Sequence, residues 1–117
     1  MKFVTKRIHA FLDYPVAVAL IVLPFILGLG SSNPIALQLS VAIGIAAFVL
    51  TLLTDHHLGV FRVLSYRFHL IVDFAVAVLF ILAPTIFGFK GIDSYYYWVN
   101  GIAVLTVVSL HKPEVAV

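Results

Sequence analysis

No cysteine occurs in this chain of 117 residues, which excludes disulfides, thiolate metal ligands and cysteine nucleophiles and leaves the redox compartment unmarked. Charge is nearly as scarce, at 10% of residues with only five acids, whereas soluble domains are about one quarter charged. No glycine-rich loop that could cradle phosphate is present, and no Ser, His and Asp fall in an order that suggests nucleophilic catalysis. Extended polar segments are missing too, so nothing is left over from which to build a soluble domain.

What fills the chain is apolar: 63% hydrophobic residues and a mean hydropathy of +1.17. A spanning helix needs about 20 predominantly apolar residues, and four such segments fit, over about 7–29, 35–54, 67–89 and 95–110. The first follows Lys2, Lys6 and Arg7 in the manner of a signal peptide. Its length and the lack of a small-x-small cleavage site before Ser31 predict a retained span instead. Thr5 and Ser65 stand as N-caps for the first and third helices, and Gly59 as a C-cap beyond the second. Helices are the physical solution because an open strand in lipid leaves its backbone polar groups unpaired. The pI near 9.1 would otherwise suggest nucleic acid, but here the basic residues set topology. Lys2, Lys6, Arg7, Arg62, Arg67 and Lys112 fall on one side of the four spans and Lys90 on the other. The positive-inside bias therefore predicts both termini in the cytoplasm. Tyr95, Tyr96, Tyr97 and Trp98 are expected at the opposite membrane boundary.

The chain also repeats itself. Ten of the 24 positions from 7 to 30 match those from 67 to 90, among them Arg7/Arg67, His9/His69, Asp13/Asp73, Pro24/Pro84 and Gly28/Gly88. Apolar bias explains shared Val, Ala and Ile, but not Arg, His, Asp, Pro and Gly in one register. Gly44-Ile45-Ala46 returns as Gly101-Ile102-Ala103 at an offset of 57 instead of 60, a difference absorbed in the connecting turns. The expected fold is an all-α membrane protein of two tandem helical hairpins, 1–59 and 60–117. With two spans per unit, both copies enter the membrane in the same direction and are related by a pseudo-twofold along its normal.

The residues Arg7/His9/Asp13/Pro24/Gly28 and Arg67/His69/Asp73/Pro84/Gly88-Phe89, with Leu53-Thr54-Asp55 and Leu58-Gly59 between them, resemble the SPW-repeat family of small bacterial membrane proteins. The triplets that correspond to the family's name read Leu23-Pro24-Phe25 and Ala83-Pro84-Thr85. The resemblance implies a four-span protein of the bacterial inner (plasma) membrane and brings no catalytic residues with it.

His9 and Asp13 share a helix face four residues apart, as do His69 and Asp73. Ala17, Pro24 and Gly28, with Ala77, Pro84 and Gly88, continue that face as a stripe expected to form the seam between the first and third helices. Arg7 is expected to pair with Asp73, or Arg67 with Asp13, making a polar network with His9 and His69. Pro24 and Pro84 are expected to bend their helices. His56 and His57 are read as capping a helix end. Two other uses of the same residues stand beside the structural one. His9, Asp13, His69 and Asp73 could complete an N/O shell around a metal, or the two histidines could ligate haem. Ion, proton or small-solute transport is the third reading, since ionisable groups in spans default to function. It needs a polar path further outward, and none is evident. The expectation is a small structural or accessory membrane protein without enzymatic activity or cofactor. Its partners would be the lipid bilayer and a protein partner or further copies of itself, with no nucleic acid.

Overall fold

A computed structural model describes residues 6–54, 60–61 and 63–110, without the side chains of residues 6, 9 and 10. The described residues form four helices and no strand: α1 (Lys6–Ile26), α2 (Ile35–Leu53), α3 (Tyr66–Phe87) and α4 (Ile92–Ser109). α2 and α3 are long and apolar enough to cross a membrane, at about 28 and 33 Å from a rise of 1.5 Å per residue. α1 carries an apolar stretch of its own, Phe11–Ile26. Thr5, Asp55, His56, His57, Gly59, Arg62 and Lys112 lie outside the described residues.

α1 packs on α2 and α3 on α4, while α2 and α3 meet sparingly. Each hairpin is tight because a glycine faces its partner's backbone. A Cβ on Gly44 would stand 3.0 Å from both Ala17 O and Ile21 N, and one on Gly101 would stand 3.0 Å from both Ala77 O and Ile81 N. The small-residue stripe therefore serves the contact inside each hairpin and not a seam between α1 and α3. Bulkier side chains at Ala17 and Ala77 would hold the helices apart, and both alanines are fully buried.

The helix ends also correspond. Gly28 and Gly88 adopt positive φ, 69° and 68°, and the following amides of Leu29 and Phe89 reach back to Pro24 O and Pro84 O. This closes α1 and α3 with the same left-handed cap. Both prolines thus sit in the last turn, feeding that cap. Pro24 has no N–H to give Leu20 O, and the Ser40 hydroxyl donates to that carbonyl instead, at 2.8 Å. α4 starts at Ile92, ahead of the predicted 95, because Gly91 at φ 59° turns the chain directly into the helix.

Both hairpin turns lie at one end of the bundle, where Leu20, Leu29, Phe80, Ala83, Phe89, Tyr96 and Tyr97 form the core. Tyr97 sits among Phe80, Phe89 and Tyr96, with ring centroids at 4.6, 4.9 and 5.5 Å. Its hydroxyl donates to Ala36 O across the hairpins. Of the four aromatic residues expected at the membrane boundary, only Tyr95 and Trp98 face outward. One helical turn necessarily carries Tyr96 and Tyr97 to the inner side.

Candidate functional site

Toward the other end the hairpins part around a cavity of about 440 Å³ lined by all four helices. Its lining follows the sequence repeat: Leu12, Asp13 and Val16 face Val72, Asp73 and Val76, while Ala46, Ala47 and Leu50 face Ala103, Val104 and Val107. Positions that match in the sequence thus line the cavity from both hairpins. Most of its wall is apolar, and Asp13, His69, Asp73, Thr51 and Asn100 supply the polar groups.

His69 is placed by the start of α3. Ser65 caps that helix, its hydroxyl accepting from the Phe68 amide at 3.1 Å. This sets His69 in the first turn, pointing inward and only 2% exposed. Behind the ring, Thr54 closes α2. Amides of Val60, Phe61 and Leu64 bind Leu52 O and Leu53 O, drawing the inter-hairpin link across the end of α2. Thr54 Oγ1 consequently stands 2.7 Å from His69 Nδ1 and donates to Leu50 O at 2.6 Å. In front of the ring, Nε2 faces Asp13 Oδ2 from α1 and Asp73 Oδ2 from its own helix, each at 3.3 Å. One ligand atom from each of the three residues lies within 4.8 Å of the others.

The structure brings together Asp13, His69 and Asp73, and it gives the arginines other surroundings. Among the described residues, neither Arg7 nor Arg67 pairs with the aspartates. The Arg7 guanidinium lies over Phe11, 5.9 Å from the ring centroid, and Arg67 is exposed. Both arginines lie before the cluster at helix starts, where their long side chains extend to the bundle's edge. The side chain of His9 is outside the described set.

A second polar centre clasps the two hairpin turns. Asp93, fully buried in the first turn of α4, accepts from the amides of Gly30 and Ser32 at 3.0 and 3.1 Å and from the Ser32 hydroxyl. Asn33 Nδ2 donates to Phe87 O at 3.1 Å, and the Lys90 amide donates to Ser32 Oγ. Burial pushes the Asp93 carboxyl up, but the Ser32 hydroxyl and the amides of Gly30, Ser32 and Asn33 outweigh it and hold the group below its ordinary value.

Comparison of the chain with protein-family models, with curated proteins and with solved structures finds no match. The site is therefore argued from its geometry alone. Thr54, Asn100 and the Asp93 clasp are the residues that repeat-based reasoning passes over, because none has an identical counterpart in the other copy. The signal for Asp93 is its position: it is one of five acids in the chain and stands beside a turn.

Proposed function

We propose that this protein is a non-catalytic structural or accessory component of a bacterial inner membrane, spanning it four times as two parallel hairpin repeats. The reading is carried by the use to which the buried polar groups are put. Ser40 is tied to Leu20 O and to Tyr96, Tyr97 to Ala36 O, Asp93 to the α1–α2 turn and Asn33 to Phe87 O. Each bond joins separate elements of the bundle, and in lipid such bonds take the place that hydrophobic burial holds in water. The outer surface is the complement. Phe25, Ile26, Ile86 and Val99 are each more than 60% exposed, whereas Ser40, Thr54 and Asp93 are fully buried. Large apolar side chains facing out on α1, α3 and α4, with polar ones facing in, match a lipid surround and favour four spans over two. The resemblance of the repeated Arg, His, Asp, Pro and Gly to the SPW-repeat pattern favours the same architecture.

The absence of native cysteine makes topology directly testable. Single variants Ser31→Cys and Lys90→Cys in the hairpin turns should react with a membrane-impermeant maleimide on intact spheroplasts, and Val63→Cys in the link should react only after lysis. Labelling of all three from one face would refute the four-span arrangement. For the accessory role, crosslinking in native membranes followed by purification should yield one stoichiometric larger assembly containing a protein partner or further copies. A lone chain that moves a solute across liposomes would overturn this role in favour of transport.

A further inference from the structure

We propose that the cavity between the hairpins binds one molecule of a neutral aliphatic alcohol of roughly ten to fifteen carbons, its chain along the apolar wall and its hydroxyl on the side-chain amide of Asn100. Volume is the first support. Apolar cavities of about 150 Å³ already take up a benzene-sized molecule, and this one measures about 440 Å³. Water fills it poorly, because a buried water needs about two to four polar partners. All but five of the lining residues are leucine, valine, isoleucine or alanine. At about 30 Å³ for a water-sized or methylene-sized group, the space holds on the order of 15 such groups.

The second support is the kind of apolar wall. The chain holds ten phenylalanines, five tyrosines and a tryptophan, yet no aromatic residue among the described ones lines the cavity. Several of the rings gather instead in the core at the turn end. A flat conjugated ring system would find no stacking partner in the cavity. Valine, leucine and alanine pack as well against a run of methylene and methyl groups, so the body of the occupant is aliphatic.

Asn100 fixes the head. It precedes Gly101, which abuts Ala77 O and Ile81 N, so it lies about 9 Å deeper along the bundle than Asp73 at 1.5 Å per residue. The matching position in the first hairpin is Ile43, which leaves a single amide in this part of the wall. Asn100 Nδ2 donates to Tyr96 O at 2.8 Å, and the side chain keeps a second N–H and its oxygen for an occupant. Thr51 is committed to Ala47 O, and Asp13, His69 and Asp73 face one another nearer the link. A charged head would be costly beside one neutral amide at this depth, whereas a hydroxyl can donate to Oδ1 or accept from the N–H. The molecule would enter from the bilayer where α2 and α3 meet sparingly. This route rests on the membrane placement proposed above, which the cysteine labelling tests separately.

The test is photolabelling of the full-length protein in phosphatidylcholine nanodiscs with a diazirine-bearing dodecanol, the crosslinked peptides being read by mass spectrometry. Labelling should saturate at one molecule per chain and map to cavity residues such as Leu50 and Val104. Unlabelled dodecanol and farnesol supply the same chemistry from a linear and a branched source, and the one that competes at the lower concentration assigns that source. Dodecane, which lacks the hydroxyl, should compete about tenfold more weakly than dodecanol. Asn100→Leu should erase that difference by weakening dodecanol about tenfold. Ala103→Phe, which fills the cavity, should abolish saturable labelling with helical content retained. Val104→Phe fills the same space should Ala103→Phe fail to fold. Labelling that does not saturate, that spreads over the outward-facing Phe25, Ile86 and Val99, or that persists in the filled variant would overturn the proposal. Equal competition by dodecane and dodecanol in the wild type, or unchanged dodecanol binding in Asn100→Leu, would overturn it as well.

Discussion

Asp93→Ala is expected to lower the stability of the bundle by about 3 kcal/mol, measured as loss of helical signal on heating or on titration with a denaturing detergent. The carboxylate accepts from the amides of Gly30 and Ser32 and from the Ser32 hydroxyl. Hydrogen bonds to a charged group contribute about 1.5–3 kcal/mol each, and a buried amide left without its acceptor adds a further penalty. The sum is held down because the turn can admit water once the side chain is gone. Asp93 also lies in the first turn of α4, where a negative charge meets the positive end of the helix dipole. Asp93→Asn keeps one acceptor oxygen and should lose about half as much. The pH dependence follows from the lowered carboxyl. Its contribution is fully present above the ordinary, unfolded value near 4 and is lost as pH falls through the lower folded value. Wild type should therefore lose stability relative to Asp93→Asn as pH falls below about 4. Equal unfolding of the two proteins at pH 7 would show that the clasp holds nothing.

Helix count, helix type and hairpin pairing were legible in advance because they depend on apolar run length and on one repeated register. Ser65 was legible as a cap for a related reason: a hydroxyl at a helix start acts on the nearest amides, so no tertiary knowledge is needed. Residues that act across helices were less so. The expected Arg–Asp pairing assumed that the strongest charges find one another. In the structure the link between hairpins brings Thr54 up behind His69, which turns the ring toward both aspartates. The prolines were readable as helix defects, yet the repair of one of them, Ser40 on Leu20 O, comes from a different helix. Likewise, the stripe of small residues marks a close approach without naming its partner. Only the position of Gly44 and Gly101 in the second helix of each pair assigns that partner to the same hairpin.

These contacts fix where the molecule is stiff. At the turn end, the aromatic cluster and the Asp93 clasp bind the hairpins to each other. At the link end, the described residues join the hairpins through the backbone bonds of the link to the end of α2 and through the Asp13–His69–Asp73 cluster. The cavity lies between these two fastenings, where most of its wall consists of alanine, valine and leucine. A change at the glycines would instead act inside each hairpin, upstream of both fastenings.

Gly44→Val and Gly101→Val should accordingly produce the largest losses of any single substitutions in the helices, and losses of equal size. At Gly44 a new Cβ would meet Ile21 Cγ1 at 2.7 Å and the backbone atoms Ala17 O and Ile21 N at 3.0 Å; at Gly101 it would meet Ile81 Cγ1 at 2.8 Å and Ala77 O and Ile81 N at 3.0 Å. The isoleucine can change rotamer, but the backbone atoms recede only if the helices separate. Overpacking of this kind costs about 1–3 kcal/mol for a well-packed site, and the two further carbons of valine place each variant at or above the upper end. Gly→Ala is the finer measure. It gains about 1 kcal/mol in helix propensity and meets the same backbone atoms, so a net loss of about 1 kcal/mol is expected at each site. Because the two contacts lie in different hairpins without a shared partner residue, the double alanine variant should show the sum of the single losses within about 0.5 kcal/mol. Thermal unfolding in micelles and disulfide crosslinking of cysteine pairs introduced along each hairpin would report the loss and the helix separation together. Two glycines whose substitutions differ by more than about 1 kcal/mol would mean that the matching distances do not reflect matching packing, and the equivalence of the two hairpins would fail with them.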